Sequence, residues 1–236
     1  MNSLTPELLT LGVLEYIVFL LSTSFHEAAH GFVAKLGGDP TAFHGGQVTL
    51  NPLPHIRREP FGMVVVPLLG ILAGGGIIGW ASAPYDPAWQ LRYPRRAALM
   101  SLAGPGANFT LVIIATILMH AGLWTGVFQP AANLASMHLV DAASGGVWEG
   151  IATFVSVMFS LNLLLGIFNL LPFPPLDGFT AVGLFLPADK ATAYIRLGYR
   201  LGAYSFIGLL VAWRLFGSLY RPILLASLYL IYPGMR

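Results

Sequence analysis

Three stretches of this chain, residues 61–80, 97–124 and 150–176, contain no Asp, Glu, Lys or Arg. At about 1.5 Å per residue, each is long enough as a helix to reach across a hydrocarbon layer of roughly 30 Å. A soluble fold has little use for such runs, because its helices need a polar face. The bulk numbers agree: 56% of the 236 residues are apolar and 9% are charged, where soluble domains carry about a quarter charged. The chain therefore reads as an all-α polytopic membrane protein with about four to six transmembrane helices. It is expected to form one integral membrane domain over residues 1–236, with a core over 8–186 and C-terminal membrane helices over 190–236.

A formal charge of +2 is too small and too scattered for nucleic-acid binding, and its main use is to orient helices in the bilayer. With no cysteine, disulfides, thiolate ligands and a cysteine nucleophile are excluded. Residues 1–10 lack Lys, Arg and a small-residue cleavage pattern, so the first helix is expected to be retained. That helix covers residues 8–36, is interrupted by Glu15, His26, Glu27, His30 and Lys35, and stops at Gly37 and Gly38. Residues 39–60 are polar and rich in Pro and Gly, and the alternation Gln47, Val48, Thr49, Leu50 predicts a short strand or extended loop. Within 61–80, Pro67 and the run Gly74-Gly75-Gly76 weaken a helix and suit a hairpin or re-entrant segment. Towards the end, residues 201–213 lie between Arg200 and Arg214, which can snorkel, and 222–235 reads as a last short span. Trp80, Trp89, Trp124 and Trp148 fall near span ends, as interfacial anchors do.

His26-Glu27-Ala28-Ala29-His30 places two imidazoles one helical turn apart on one face, where both can reach a single zinc ion. Glu27 is placed to take a proton from a water that zinc acidifies to a pKa of about 7. The surrounding Phe19, Leu20, Leu21, Phe25, Phe32 and Val33 put these groups at membrane depth. There, ionisable side chains cost a few kcal/mol each unless a metal or a wet cavity compensates. A catalytic zinc usually takes a third protein ligand. Asp177 stands out: it follows a 27-residue charge-free run and a Pro-rich segment, Leu171-Pro172-Phe173-Pro174-Pro175-Leu176, that opens the backbone. On residues alone it is equally an ordinary helix N-cap. His44, His55, His120 and His138 lack a second ligand at helical spacing and read as loop or helix-end histidines.

Three separated motifs resemble those of the site-2 protease family of intramembrane zinc metalloproteases, across roughly residues 20–185. They are His26 to His30; Ala103-Gly104-Pro105-Gly106-Ala107-Asn108, similar to that family's A-G-P-x-A-N; and Asn169-Leu170-Leu171-Pro172 leading to Leu176-Asp177-Gly178, similar to N-x-x-P…L-D-G. The resemblance is to compact bacterial members without peptide-binding or nucleotide-sensing domains. It implies one Zn2+ per chain on His26, His30 and Asp177, with Glu27 and Asn169 as catalytic groups. Asn169 would stabilise a developing oxyanion. Asn108 is either a substrate or transition-state contact or an interhelical packing residue. Phe179 departs from the pattern, since a second glycine is common there, and Arg57-Arg58-Glu59 departs from the family's loop.

His26 and His30 near the end of one helix can meet Asp177 beyond the end of another only if both helices run the same way. An odd number of crossings must then separate them, so residues 61–80 are expected to double back. Lys35, Arg57, Arg58, Arg92, Arg95 and Arg96 then share one side, while 122–146 holds no Lys or Arg. The positive-inside rule makes the charged side cytoplasmic in a prokaryotic inner or plasma membrane. The function expected is hydrolysis of peptide bonds within or near the transmembrane segment of membrane-protein substrates. Competing readings are a membrane zinc carrier or sensor, with Glu27 as proton relay, and a catalytically idle protein that grips transmembrane helices. Partners are a transmembrane-helix substrate and the lipid bilayer, with no nucleic acid.

Overall fold

The computed structural model describes residues 6–74, 76–135 and 137–234. Helix α1 (Pro6–Leu36) ends where Gly38 takes φ of +98°. The N–H groups of Gly37 and Asp39 close back on the Val33 and Ala34 carbonyls at 2.8 and 2.9 Å, so the last carbonyls of the helix are satisfied. Asp39 then ties three elements together. Its Oδ1 accepts from Thr41 N and Oγ1 at the start of α2 (Thr41–His44), and its Oδ2 accepts from Asp86 N at 2.7 Å, at the entry of α5. Trp89, on α5 (Pro87–Arg92), is 6% exposed and donates from Nε1 to Gly37 O at 3.0 Å. It is thus a buried strut and not the interfacial anchor its position suggested.

Residues 47–50 form bends with no strand pairing. A strand needs a ladder partner, and here the loop bonds within itself: Asn51 N donates to Thr49 Oγ1, and buried His55, on α3 (Pro52–Arg58), faces Thr49 O at 3.0 Å. Next, a π-helical turn, Phe61–Val65, runs into α4 (Val66–Leu72). This arm rises roughly 18 Å at 1.5 Å per residue, short of the bilayer core. Gly74 and Gly76, with φ of +70° and +76°, turn the chain, and it returns extended along the arm, with Trp80 N donating to Gly62 O at 3.1 Å. A Cβ on Gly62 would collide with Trp80 and one on Gly79 with Phe19 and Pro67. Glycine at both positions is what lets the return strand lie this close. The segment doubles back as the parity of crossings requires.

Among the described residues, four helices are long and apolar enough to cross a membrane: Leu8–Leu36 within α1, α6 (Pro94–Thr125), α7 (Val147–Asn169) and α10 (Ser205–Ile231). Val18 and Phe19 pack with Val157 and Leu161, and Ser22 meets Asn162. Residue numbers rise together along both helices, so α1 and α7 run parallel. Helix α6 packs against both in the opposite sense, with Asn108 on Asn162 at one level and Met119 beside Ala152 and Val155 at another. The two-stranded sheet lies elsewhere than the sequence suggested: β1 (Phe128–Ala135) pairs antiparallel with β2 (His138–Ala142), and Phe128, Leu139 and Val140 seal the end of the α6–α7 pair.

Residues 170–176 leave the helical path, so α7 is shorter than its apolar run. Helix α8 (Asp177–Ala181) follows, then the amphipathic α9 (Ala188–Arg200), which buries Ala191 and Ile195. Phe179 stacks on Tyr194 at 4.3 Å and lies against Gly198. The unusual Phe thus locks α8 to α9. Finally, α10 runs unbroken through Arg214, Arg221 and Pro222, where the sequence suggested two short pieces. Both arginines are exposed on the helix, and an exposed Arg with a long apolar stem does not mark a span end.

Candidate metal centre

His26 and His30 stand edge to face on α1, their ring centroids 4.6 Å apart. Their Nε2 atoms are 2.9 Å from each other, and Asp177 closes the triangle, with Oδ2 at 3.1 Å from His26 Nε2 and Oδ1 at 3.3 Å from His30 Nε2. One ligand atom from each residue fits within 4.8 Å of the others. Asp177 arrives there because Leu176 N donates to Phe173 O at 2.8 Å and α8 starts at once. A Cβ on Gly178 would strike the Leu170 and Leu171 carbonyls, so the turn closes only over a glycine. Asp177 is the first residue of α8 and Leu176 is its N-cap, which leaves the carboxylate to face the imidazoles.

The far side of each ring shows what the near side offers. His30 Nδ1 lies 2.7 Å from the Met100 carbonyl, and His26 Nδ1 lies 2.6 Å from Asn108 Oδ1. Each Nδ1 faces an oxygen acceptor and so carries the proton, which leaves both Nε2 lone pairs aimed into the gap with Asp177. Three electron-pair donors this close repel one another unless a cation lies among them. Zinc bonds of about 2.0–2.1 Å in a tetrahedron put ligand atoms roughly 3.3 Å apart, close to the 2.9 to 3.3 Å seen here. The donor set of two imidazoles and one carboxylate therefore fits Zn2+. Gly104 of α6 provides the room, for a Cβ there would fall on the Nε2 atoms of both histidines.

Glu27 is buried at 5% exposure and lines the same cavity of about 200 Å3 as His26, His30 and Asp177. Asn169, the last residue of α7, lines it too, and its Nδ2 donates to Leu165 O at 3.1 Å. Asn108 does not face the cavity. It is fully buried between His26 and Asn162, so the structure gives it an interhelical setting with a link to the site. The Met100 carbonyl was not legible in the sequence, since a main-chain acceptor has no side-chain signature. The extended residues Ala81, Ser82, Ala83, Pro84 and Tyr85 also line the cavity, brought there by the hairpin. Other histidines stay apart: His120 bonds Leu230 O and His138 pairs with Asp141.

The sequence model of peptidase family M50 matches residues 15–202. "Putative zinc metalloprotease YwhC" of Bacillus subtilis is 33% identical over 237 residues, covering 91% of this chain and 96% of that protein. "Putative zinc metalloprotease Rip2" of Mycolicibacterium smegmatis is 32% identical over 70% of this chain, and this chain spans about half of that relative, 54% of its length. The same figures of 32%, 70% and 54% hold for "Putative zinc metalloprotease Rip2" of Mycobacterium tuberculosis. No solved structure matches the chain at a significant level.

Proposed function

The chain belongs to peptidase family M50, the site-2 protease family, and from that premise we propose that it is a zinc-dependent endopeptidase that cuts membrane proteins within or near a transmembrane segment. The observation that carries this reading is the convergence of His26, His30 and Asp177 on one point, with Glu27 lining the same cavity. His26, His30 and Asp177 would hold a Zn2+ ion, which when bound would supply Lewis-acid polarisation of the scissile carbonyl and acidify the attacking water. Glu27 accepts the proton of the attacking water on its carboxylate and hands it to the leaving amine nitrogen. Asn169 offers an amide N–H to the oxygen that gains charge, without adding a formal charge to a low-dielectric site.

A substrate helix hides its carbonyls in its own hydrogen bonds, so it must unwind locally before it is cut. Residues 81–85 offer the unwound segment a partner. They line the cavity outside any helix, and among the described residues their main chain makes no ladder bonds. A substrate strand can pair there by β-augmentation.

Purified protein is expected to cleave a membrane-helix substrate, to stop when a chelator removes zinc, and to lose at least about 100-fold in turnover on Glu27→Gln, the scale of a general base. Full turnover by that variant with zinc bound would overturn the assignment of Glu27 and with it the proposed mechanism.

A further inference from the structure

The two imidazoles do not have equally simple support. His30 Nδ1 faces the Met100 main-chain carbonyl at 2.7 Å, an oxygen that can only accept, so the Nδ1 proton is fixed and Nε2 is left bare. His26 Nδ1 faces a side-chain amide, Asn108, at 2.6 Å, and an amide has two ends. Turned around, its NH2 would donate to Nδ1, drive the ring proton to Nε2 and remove the lone pair that faces the gap. What decides the orientation lies one helix further away. Asn108 Nδ2 donates to Asn162 Oδ1 at 2.8 Å, and Asn162 Nδ2 donates to Met158 O and to Ser22 Oγ, each at 2.8 Å. Met158 O only accepts. It therefore claims the NH2 of Asn162, whose Oδ1 must turn to Asn108, whose Oδ1 must in turn face His26.

We propose that Asn162 and Asn108 are positioning residues that set the tautomer of His26, relaying the polarity of an α7 main-chain carbonyl through two amides to the metal-facing nitrogen. Ser22 is 1% exposed and Asn108 and Asn162 are 0% exposed, so bulk water cannot stand in for a missing member. An ordinary interhelical hydrogen bond would serve packing in either direction; here only one direction leaves His26 able to bind a cation. The relay rests on the reading of His26 as a zinc ligand. It also gives the A-G-P-x-A-N segment two separate duties, since Gly104 clears the gap in front of the imidazoles and Asn108 holds one of them from behind.

The test uses the full chain in detergent micelles. In zinc-free protein at alkaline pH, 15N-histidine spectra, with the His26 signals identified by their loss in His26→Gln, should show the proton on Nδ1. Asn162→Leu should give a mixture of tautomers although residue 162 does not touch the ring. Zinc titrated against a competing chelator should bind Asn108→Leu and Asn162→Leu about 10- to 100-fold more weakly than wild type, as losses of outer-shell partners do. The double variant should bind no more weakly than the weaker single, because either cut breaks the same chain. A wild-type His26 carrying its proton on Nε2, unchanged zinc affinity in the variants, or additive losses would each overturn the relay. The wild-type tautomer gives its answer even where a variant does not fold. A wild type that binds no zinc would instead sink the ligand reading beneath it.

Discussion

A Cβ on Gly104 would fall on the Nε2 atoms of His26 and His30, and those rings cannot retreat, because Met100 O and Asn108 hold them from behind. Gly104→Ala is therefore expected to leave the fold in place and cut bound zinc below about a tenth of the wild-type content, since ligands must be held to within about 0.5 Å. Metal analysis of the purified variant checks this; full zinc content would show that the rings yield. His26, Glu27 and His30 were legible in the sequence because helical spacing alone puts them on one turn. Asp177 was only half legible. Its chemistry qualified it, but whether it capped a helix or met the histidines depended on the turn closed over Gly178. Asn162 could have been flagged as a polar amide inside an otherwise apolar run, yet nothing in that run says which helix it faces.

Among the elements, the junction after α1 is the clearest case of one side chain organising several backbones. Burial opposes ionisation of Asp39, but hydrogen bonds from the Thr41 side chain, the Asp86 main chain and the Thr41 main chain outweigh it. The carboxyl is therefore held below its ordinary value. A depressed folded-state pKa means the stabilisation is complete above the unfolded value of about 3.9 and is lost as pH falls through the folded value. Asp39→Ala is expected to lower stability at pH 7 by roughly 1–3 kcal/mol, the worth of hydrogen bonds to a charged group. The gap between wild type and variant should close as pH drops below about 4. Thermal unfolding in micelles across that range decides it, and a gap that widens towards low pH would contradict the charge assignment. The hairpin after residue 60 shows the complementary lesson. Its glycines and Pro67 marked it as a poor span, but that Gly62 and Gly79 permit a return strand against Trp80 and Phe19 emerges only when both arms are folded.

For the whole molecule, α1 and α7 run parallel and α6 packs against both in the opposite sense, so His26, His30 and Asp177 gather towards one end and the β1–β2 hairpin covers the other. Lys35, Arg57, Arg58, Arg92, Arg95 and Arg96 lie on loops and helix ends near the first of these, and on the positive-inside rule we propose that this end faces the cytoplasm. The chain has no native cysteine, so single-cysteine labelling in intact cells is clean. Ala88→Cys should react only with a membrane-permeant reagent and Ala132→Cys also with an impermeant one added outside. The reverse pattern would invert the topology. What the sequence by itself determined is what local periodicity and composition control: a membrane protein, three apolar runs, the His-Glu-His face, and through the parity of crossings a segment that doubles back. The tertiary structure alone decided which groups meet across helices: the Asp177 carboxylate on the imidazoles, the Gly104 clearance, the β-hairpin at the far end, and the chain from Met158 O to His26. The reason is physical. Spacing along one helix fixes direction to within a turn, but a contact between helices depends on their register and separation, and those are set by the packing of all of them at once.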